Sequence, residues 1–277
     1  MRDDPVFILT CGRSGSTLLQ KLMNTHDELL IWGEHAGFLN HLIGAWQAVN
    51  LCEWISDDQP SGDWLLESPR PLNVDKWTAW DLPFTKQAFL EAVREMVERL
   101  FAAPCSPETR WGFKEIRYHS IQSLELLLAL FPACRLMFLM REPVHICVSF
   151  AAAQINASGA RKSRHARIVR KIAKRLVRPF FEFAADCLPG LQDRSLLVSY
   201  EGLVEQGVPN MHRIADFLEL RMPFDEQRLA AIMDRDIVSQ RKISSAKLLK
   251  ELRMLAQAEL KAETRLYRKL TNHFTAA

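Results

Sequence analysis

Residues Pro5–Gln20, PVFILTCGRSGSTLLQ, constrain the fold of this chain more than any other segment. Val6–Leu9 is a short apolar run that reads as a buried strand. It leads into the turn Cys11-Gly12-Arg13-Ser14-Gly15-Ser16-Thr17, after which Leu18, Leu19, Leu22 and Met23 follow at helical spacing. Strand, glycine-containing turn and helix, in that order, aim backbone N–H groups and the positive end of a helix dipole at a phosphate. The same order also serves as a plain strand-to-helix link, so the turn needs support from elsewhere in the chain.

Aligned on Gly15 and Thr17, the turn departs from the G-x-x-x-x-G-K-[ST] loop of nucleoside triphosphate sites. Ser16 stands where the Lys belongs, and Thr10 replaces the first Gly. That Lys neutralises the β- and γ-phosphates, so the loop is damaged as an ATP or GTP site. A donor with one 5′-phosphate bearing a transferable group needs less charge, and Arg13 is available beside its bridging oxygen.

Two further blocks repeat the theme. Arg135–Met140 (RLMFLM) is an apolar strand followed by Arg141-Glu142-Pro143 and, eight residues after the Arg, Ser149. Ser195–Val204 (SLLVSYEGLV) is another strand with Tyr200 at its end. Together the three blocks resemble the PAPS-dependent sulfotransferases (PAPS, 3′-phosphoadenosine 5′-phosphosulfate). That family's loop, P-R-S-G-[ST]-[ST]-L, matches Gly12–Leu18 from the Arg onward. Its 3′-phosphate block is strand, Arg-x-Pro and a Ser at the same offset, and its third block ends Y-E-D-L-V. Gly202 replaces the Asp here, which removes an expected helix N-cap. The resemblance implies that Arg13, Ser14, Gly15, Ser16 and Thr17 hold the 5′-phosphate, Arg141 and Ser149 the 3′-phosphate, and Tyr200 the adenine. Arg241 and Lys242 correspond loosely to basic tail residues that return to the 3′-phosphate. Arg141 offers a fixed fork of donors suited to a phosphate monoester, and Pro143 suits a first helical turn.

Sulfuryl transfer needs in-line positioning, charge stabilisation and a base for the acceptor's proton. Glu34, in Ile31-Trp32-Gly33-Glu34-His35, is the expected base. It lies 21 residues after Arg13, past one helix and the apolar stretch Leu29–Trp32, which returns the chain to the same cleft. Tyrosylprotein and glycan sulfotransferases carry a catalytic Glu in a similar setting, and the chain is closer to these and to bacterial types. The competing base is His35, whose ordinary pKa of ~6.5 suits proton transfer near neutrality. His26 and His119 are weaker rivals and read as structural. Lys114, in WGFKEIRY, resembles the lysine of the family's W-G-x-K-x-x-R-Y block, with the implied role of neutralising the leaving phosphate or the sulfonate; Glu115 and Arg117 read as a polar cluster. No metal is expected, since no zinc spacing or acidic cluster is present.

The expected fold is a P-loop NTPase-like α/β domain over 1–277: a central parallel sheet with helices on both faces and a helix-rich insertion. Strands are expected at 6–10, 29–32, 110–116, 135–140 and 195–200. Helices are expected at 16–25, 119–130, 143–157, 163–187, 208–219, 225–235 and 244–273. Residues 36–103 hold Trp46, Trp54, Trp64, Trp77 and Trp80, five of seven tryptophans, and are the expected acceptor-binding cap. The tail 239–277 carries Leu248, Leu252, Leu255 and Leu260 at amphipathic spacing, a face for the body of the fold or for a second copy.

Net charge is +3, yet Arg161–Arg178 holds nine Lys/Arg and no acid, leaving −6 on the remainder. That segment is either a solvated helix face or a docking face for an anionic acceptor; no nucleic-acid motif accompanies it. The six cysteines form no C-x-x-C pair and read as reduced, mostly buried thiols. No apolar run is long enough to span a membrane, and Pro5 enters the first strand almost at once, so a cytoplasmic chain is expected. The expected function is sulfonate transfer from PAPS to a hydroxyl, less readily an amine, of an organic acceptor. Its alternatives are a P-loop phosphotransferase and an inactive nucleotide-binding module of the same fold.

Overall fold

The structure is a computed structural model and describes residues 4–61, 82–239 and 245–274. Trp64, Trp77, Trp80, Arg241 and Lys242 lie outside the described residues. The chain runs β1 (Val6–Thr10), α1 (Ser16–Met23), β2 (Leu29–Trp32), α2 (Asn40–Asn50), α3 (Lys86–Phe101), β3 (Arg110–Glu115) and α4 (Ile121–Leu130). It continues through β4 (Arg135–Met140), α5 (Pro143–Ser158), α6 (His165–Ile172), α7 (Arg178–Cys187), β5 (Ser195–Ser199) and α8 (Tyr200–Glu205). Helices α9 (Gly207–Phe217), α10 (Glu226–Ser239), α11 (Ala246–Glu259) and α12 (Lys261–Phe274) close it.

The five strands form one parallel sheet in the order β2-β3-β1-β4-β5. Alternation along each strand divides the core in two. Phe7, Leu9, Phe113, Leu136 and Phe138 face one layer, with α3 to α7 and α11. Val6, Ile8, Met137, Leu139 and Val198 face the other, with α1, α9 and α10. Both faces are therefore covered, which is why the strands read as continuous apolar runs. Gly112 is required by sheet pairing: a Cβ there would stand 1.9 Å from the Val6 carbonyl oxygen.

Strands β1 and β4 are neighbours, yet α1 packs on one face and α5 on the other. Their outgoing loops diverge and leave a crevice at the carboxyl ends of the strands, the position where open α/β sheets bind ligands.

Three departures from expectation have local causes. The basic helix is broken: a π-helical turn over Ala173–Val177 separates α6 from α7. Pro179 follows at the start of α7, where it supplies no N–H and crowds the carbonyl four residues back, so the ladder widens ahead of it. The helix α8 starts at Tyr200, and Ser199 Oγ caps it by accepting from Gly202 N at 3.0 Å. This replaces the cap that the absent Asp would have supplied, and a Cβ at Gly202 would stand 2.7 Å from that same hydroxyl. The tail forms two helices, broken at the fully buried Leu260. Among the described residues no helix is long and apolar enough to cross a membrane.

Candidate active site

The loop after β1 is held in shape by Thr10, whose hydroxyl donates to the Leu139 carbonyl at 2.8 Å and lies 2.6 Å from Ser14 Oγ. Ser14 is fully buried, and its side chain braces the loop from within. Arg13 (φ 65°) and Gly15 (φ 92°) are both left-handed. Holding a non-glycine residue there costs about 1–2 kcal/mol, and such strain gathers at functional loops. Gly15 is also needed for space: a Cβ would stand 2.1 Å from the Tyr200 ring. No side chain caps α1, so the N–H groups of its first turn remain open toward the crevice. Ser16 is buried, while Thr17 and Arg13 are exposed at the mouth.

Across the crevice, Arg141 NH1 donates to the Arg13 carbonyl at 3.2 Å, and its guanidinium stacks on Tyr200, 4.2 Å from the ring centroid. Arg141 Nε is buried without a hydrogen-bond partner. A buried donor on a permanent cation near an uncapped helix N-terminus is chemistry suited to an anion. Ser149 lies on α5, half-buried, on the same helix as Phe150, whose ring covers Gly12 and lies 5.9 Å from the Arg13 guanidinium.

Sequence reading passed over the support of this arm. Glu142 caps α5 through His145 N, at 2.9 Å. The Glu142 N–H donates to Glu201 at 3.1 Å, and Tyr267 of α12 donates its hydroxyl to the other Glu201 oxygen at 2.5 Å. Burial works to raise the Glu201 pKa, but hydrogen bonds involving His145, Tyr267 and the Glu142 backbone outweigh it and hold the carboxyl below its ordinary range. Tyr267 lies 66 residues from Glu201, so no local pattern announced it.

The second cluster forms where β2 and β3 end. Lys114, on the α1 side of β3, places Nζ 2.9 Å from Glu34 Oε1 and 3.3 Å from Ser16 Oγ. It thus links the loop after β1 to the loop after β2. Arg117 NH1 lies 3.4 Å from the other Glu34 oxygen and 2.7 Å from Glu115 Oε1. Glu115, one position along β3, points to the opposite face and is fully buried. It accepts from the backbones of His35 (3.2 Å), Gly37 (2.8 Å) and Ile116 (2.8 Å). Burial alone would raise the Glu115 pKa; the hydrogen bonds from Arg117, Gly37 and Ile116, with His35 nearby, bring it below the ordinary value. Glu115 is therefore the clamp that shapes residues 35–37 and so aims Glu34.

His35 is directed away from the mouth. Its Nε2 lies 2.6 Å from the Tyr118 hydroxyl, and its ring packs edge-on against Phe38, Phe101 and Phe113. Burial pushes its pKa down, against the pull of Glu115. His26 is buried against Phe224 with Nε2 2.8 Å from the Met222 carbonyl, and burial lowers the His119 pKa.

Beside Glu34, the loop after β2 and the end of α3 line an open cavity of about 270 Å³. Trp32, Leu100, Phe101 and Pro104 form its apolar wall, with Glu34 and His35 at its edge. Elsewhere in the helix-rich region, Trp46 stacks on Phe89 and Trp54 is exposed.

The sequence pattern of the Sulfotransferase family matches residues 5–226. The chain belongs to the sulfotransferase family. That match takes in every strand of the sheet and the loops after β1, β2, β3 and β4. Among solved structures, this sulfotransferase resembles the sulfotransferase domain of the Synechococcus PCC 7002 olefin synthase, with 20% identity, 96% of each chain covered and TM-score 0.54. It also resembles a sulfotransferase from Alicyclobacillus acidocaldarius, with 11% identity, 95% of each chain covered and TM-score 0.52. Mouse sulfotransferase SULT7A1 complexed with PAP gives 12% identity, 97% of this chain and 89% of that chain covered, and TM-score 0.50. At such identities the likeness is one of fold. No curated protein matches this sequence.

Proposed function

We propose that this sulfotransferase uses PAPS as donor and transfers its sulfonate to a hydroxyl, in preference to an amine, of an organic acceptor. The observation that carries this reading is the crevice between β1 and β4, where Arg141, its Nε buried without a hydrogen-bond partner, reaches the loop that leads into the uncapped start of α1. Its donors suit two separate phosphates. Backbone N–H groups of Ser14–Thr17, with the Ser16 and Thr17 hydroxyls, would hold a 5′-phosphate, and Arg141 with Ser149 would hold a 3′-phosphate. Tyr200, stacked on Arg141, would border the adenine.

The donor, when bound, supplies a sulfonate on a phosphate leaving group. Glu34 accepts the proton that the acceptor hydroxyl loses as its oxygen bonds to sulfur. Lys114 and Arg13 balance the charge gained by the phosphate as the S–O bond breaks. Glu34 is preferred to His35 as the base because Glu34 is exposed while His35 is half-buried with its Nε2 already engaged with Tyr118. Lys114 reaches both Glu34 and Ser16, so one cation couples the base to the phosphate loop. The apolar cavity beside Glu34 supports an acceptor with an aromatic or aliphatic body that presents its hydroxyl at the rim.

Titration calorimetry with 3′-phosphoadenosine 5′-phosphate (PAP) against ATP, with and without Mg²⁺, tests the donor assignment. The expected result is binding of the bisphosphate independent of Mg²⁺, weakened at least tenfold by Arg141→Ala. Tight binding of ATP with Mg²⁺ and none of the bisphosphate would overturn it and favour a phosphotransferase. Bisphosphate binding without transfer to any acceptor would favour an inactive module.

A further inference from the structure

The basic segment 161–178 is not used by the transfer chemistry, and beyond Arg161 and Lys162 at its exposed start its Lys and Arg residues fall into two sets. One set is neutralised by the tail: Arg170 Nε lies 3.0 Å from Glu259 and Arg178 pairs with Glu263, while His165 Nδ1 lies 3.1 Å from Glu251 on the same contact. The other set, Arg164, Arg167, Lys171, Lys174 and Arg175, is exposed and has no ion-pair partner among the described residues. Arg164, Arg167 and Lys171 recur at three- and four-residue intervals along one side of α6, and Lys174 and Arg175 extend this stripe onto the π-helical turn that follows. Like charges one helical turn apart repel, and no ion pair among the described residues offsets them.

The stripe borders a concave site. Arg164, Arg167 and Lys171 share a cleft of about 350 Å³ with Gln154 and Ser158 from the end of α5. Its floor is apolar, made by Ala160 and the half-buried Ile168. At the far end of the stripe Leu176 is 39% exposed, although its neighbours Val169, Ile172, Ala173 and Val177 are consumed by the core.

We propose that this groove docks an acidic amphipathic helix of a partner protein. Arginine forks and lysines along one line match carboxylates repeated every three or four residues on a facing helix, and the apolar floor receives the ridge of side chains between them. A flat bilayer does not enter a cleft, and a sulfated or phosphorylated sugar chain offers nothing to Ile168 and Leu176. Ser158 lies nine residues beyond Ser149 on α5, about 14 Å along the helix, so an occupied groove leaves the donor crevice open.

The test uses the full chain and a fluorescently labelled helical peptide of about eighteen residues with one leucine stripe flanked by glutamates. Fluorescence anisotropy is read at low and high salt. The expected result is salt-sensitive binding, weakened at least tenfold when the peptide's glutamates become glutamines. The combined variant Arg164→Ser, Arg167→Ser, Lys171→Ser should lose binding at least tenfold while keeping its melting temperature and its affinity for PAP. Ile168→Ser with Leu176→Ser should weaken binding several-fold with the cations intact. No binding, or binding unchanged in the triple variant, overturns the proposal. Binding untouched by the apolar pair, with heparin oligosaccharide or phosphatidylserine vesicles captured more tightly through the same cations, also overturns it in favour of a general polyanion surface. Because neither variant touches the crevice, these outcomes are independent of whether the donor assignment holds.

Discussion

Replacing Glu34 by Gln separates chemistry from architecture. The amide keeps the shape of the side chain, and its oxygen can still accept from Lys114 Nζ, now 2.9 Å from Glu34 Oε1. Only the charge and the basicity are lost. The side chains of Glu34 and Arg117 are 34% and 44% exposed, so their 3.4 Å contact is worth a few tenths of a kcal/mol. Lys114 is 6% exposed, and weakening its hydrogen bond to a charged acceptor costs about 1–2 kcal/mol. Against a typical stability of about 5–15 kcal/mol, the variant remains about 99% folded or better. Loss of a general base lowers turnover by about 10²–10⁴, equivalent to about 3–5 kcal/mol of transition-state stabilisation. Unfolding therefore cannot imitate the expected effect. Turnover is followed as radiolabelled sulfonate passing from PAPS to acceptors in a fractionated extract of the native host, and donor binding by calorimetry with PAP. Affinity for the bisphosphate should be equal or tighter, because Glu34 competes with it for Lys114. Turnover within about threefold of the parent would refute the assignment of the base, and a parallel loss of donor affinity would make Glu34 a structural residue.

Other expectations follow from the same geometry. Gly15→Ala introduces a Cβ 2.1 Å from the Tyr200 ring at a φ of 92°, so affinity for the bisphosphate should fall at least tenfold while far-ultraviolet circular dichroism stays unchanged; normal affinity would show that the loop is not the phosphate cradle. Glu115→Ala strips the backbone N–H groups of residues 35, 37 and 116 and the Arg117 fork of their buried acceptor, and urea denaturation should report a loss of about 3–5 kcal/mol. The folded state disfavours protonated His35, so its contribution to stability is complete above the unfolded value of ~6.5 and is lost as the pH falls below it. Melting temperature should decline from pH 7 to pH 5, and His35→Gln should flatten that slope; an unchanged slope would assign the acid loss elsewhere. Leu100→Asp, on the wall of the cavity beside Glu34, should raise acceptor KM at least tenfold and leave bisphosphate affinity unaltered.

Much of the fold was legible in the chain itself. Five apolar runs alternating with helical patterns predicted a parallel sheet covered on both faces, and the strands lie where those runs are. The run Val6–Thr10 with its turn Gly12-Arg13-Ser14-Gly15 pointed to the family only when read together with Arg141, Pro143 and Ser149 after the fourth apolar run and Tyr200 after the fifth, because a strand, a glycine turn and a helix also occur as a plain link. Breaks in helices were less visible, since they depend on single residues such as Pro179 and Leu260 whose effect is set by what they pack against.

Only the tertiary structure decided how the pieces meet. Local pattern could propose Glu34 and His35 as rival bases but could not separate them. Their difference is that His35 turns into an aromatic nest with Tyr118, while Glu34 turns toward Lys114 across 80 residues of sequence. Glu201 and Tyr267, which brace the turn after β4, were invisible for the same reason. Periodicity and turn chemistry act over a few residues and are written in the sequence. Which strand end faces which, and so which charges share a crevice, depends on strand order and on side chains that meet only after the sheet has formed.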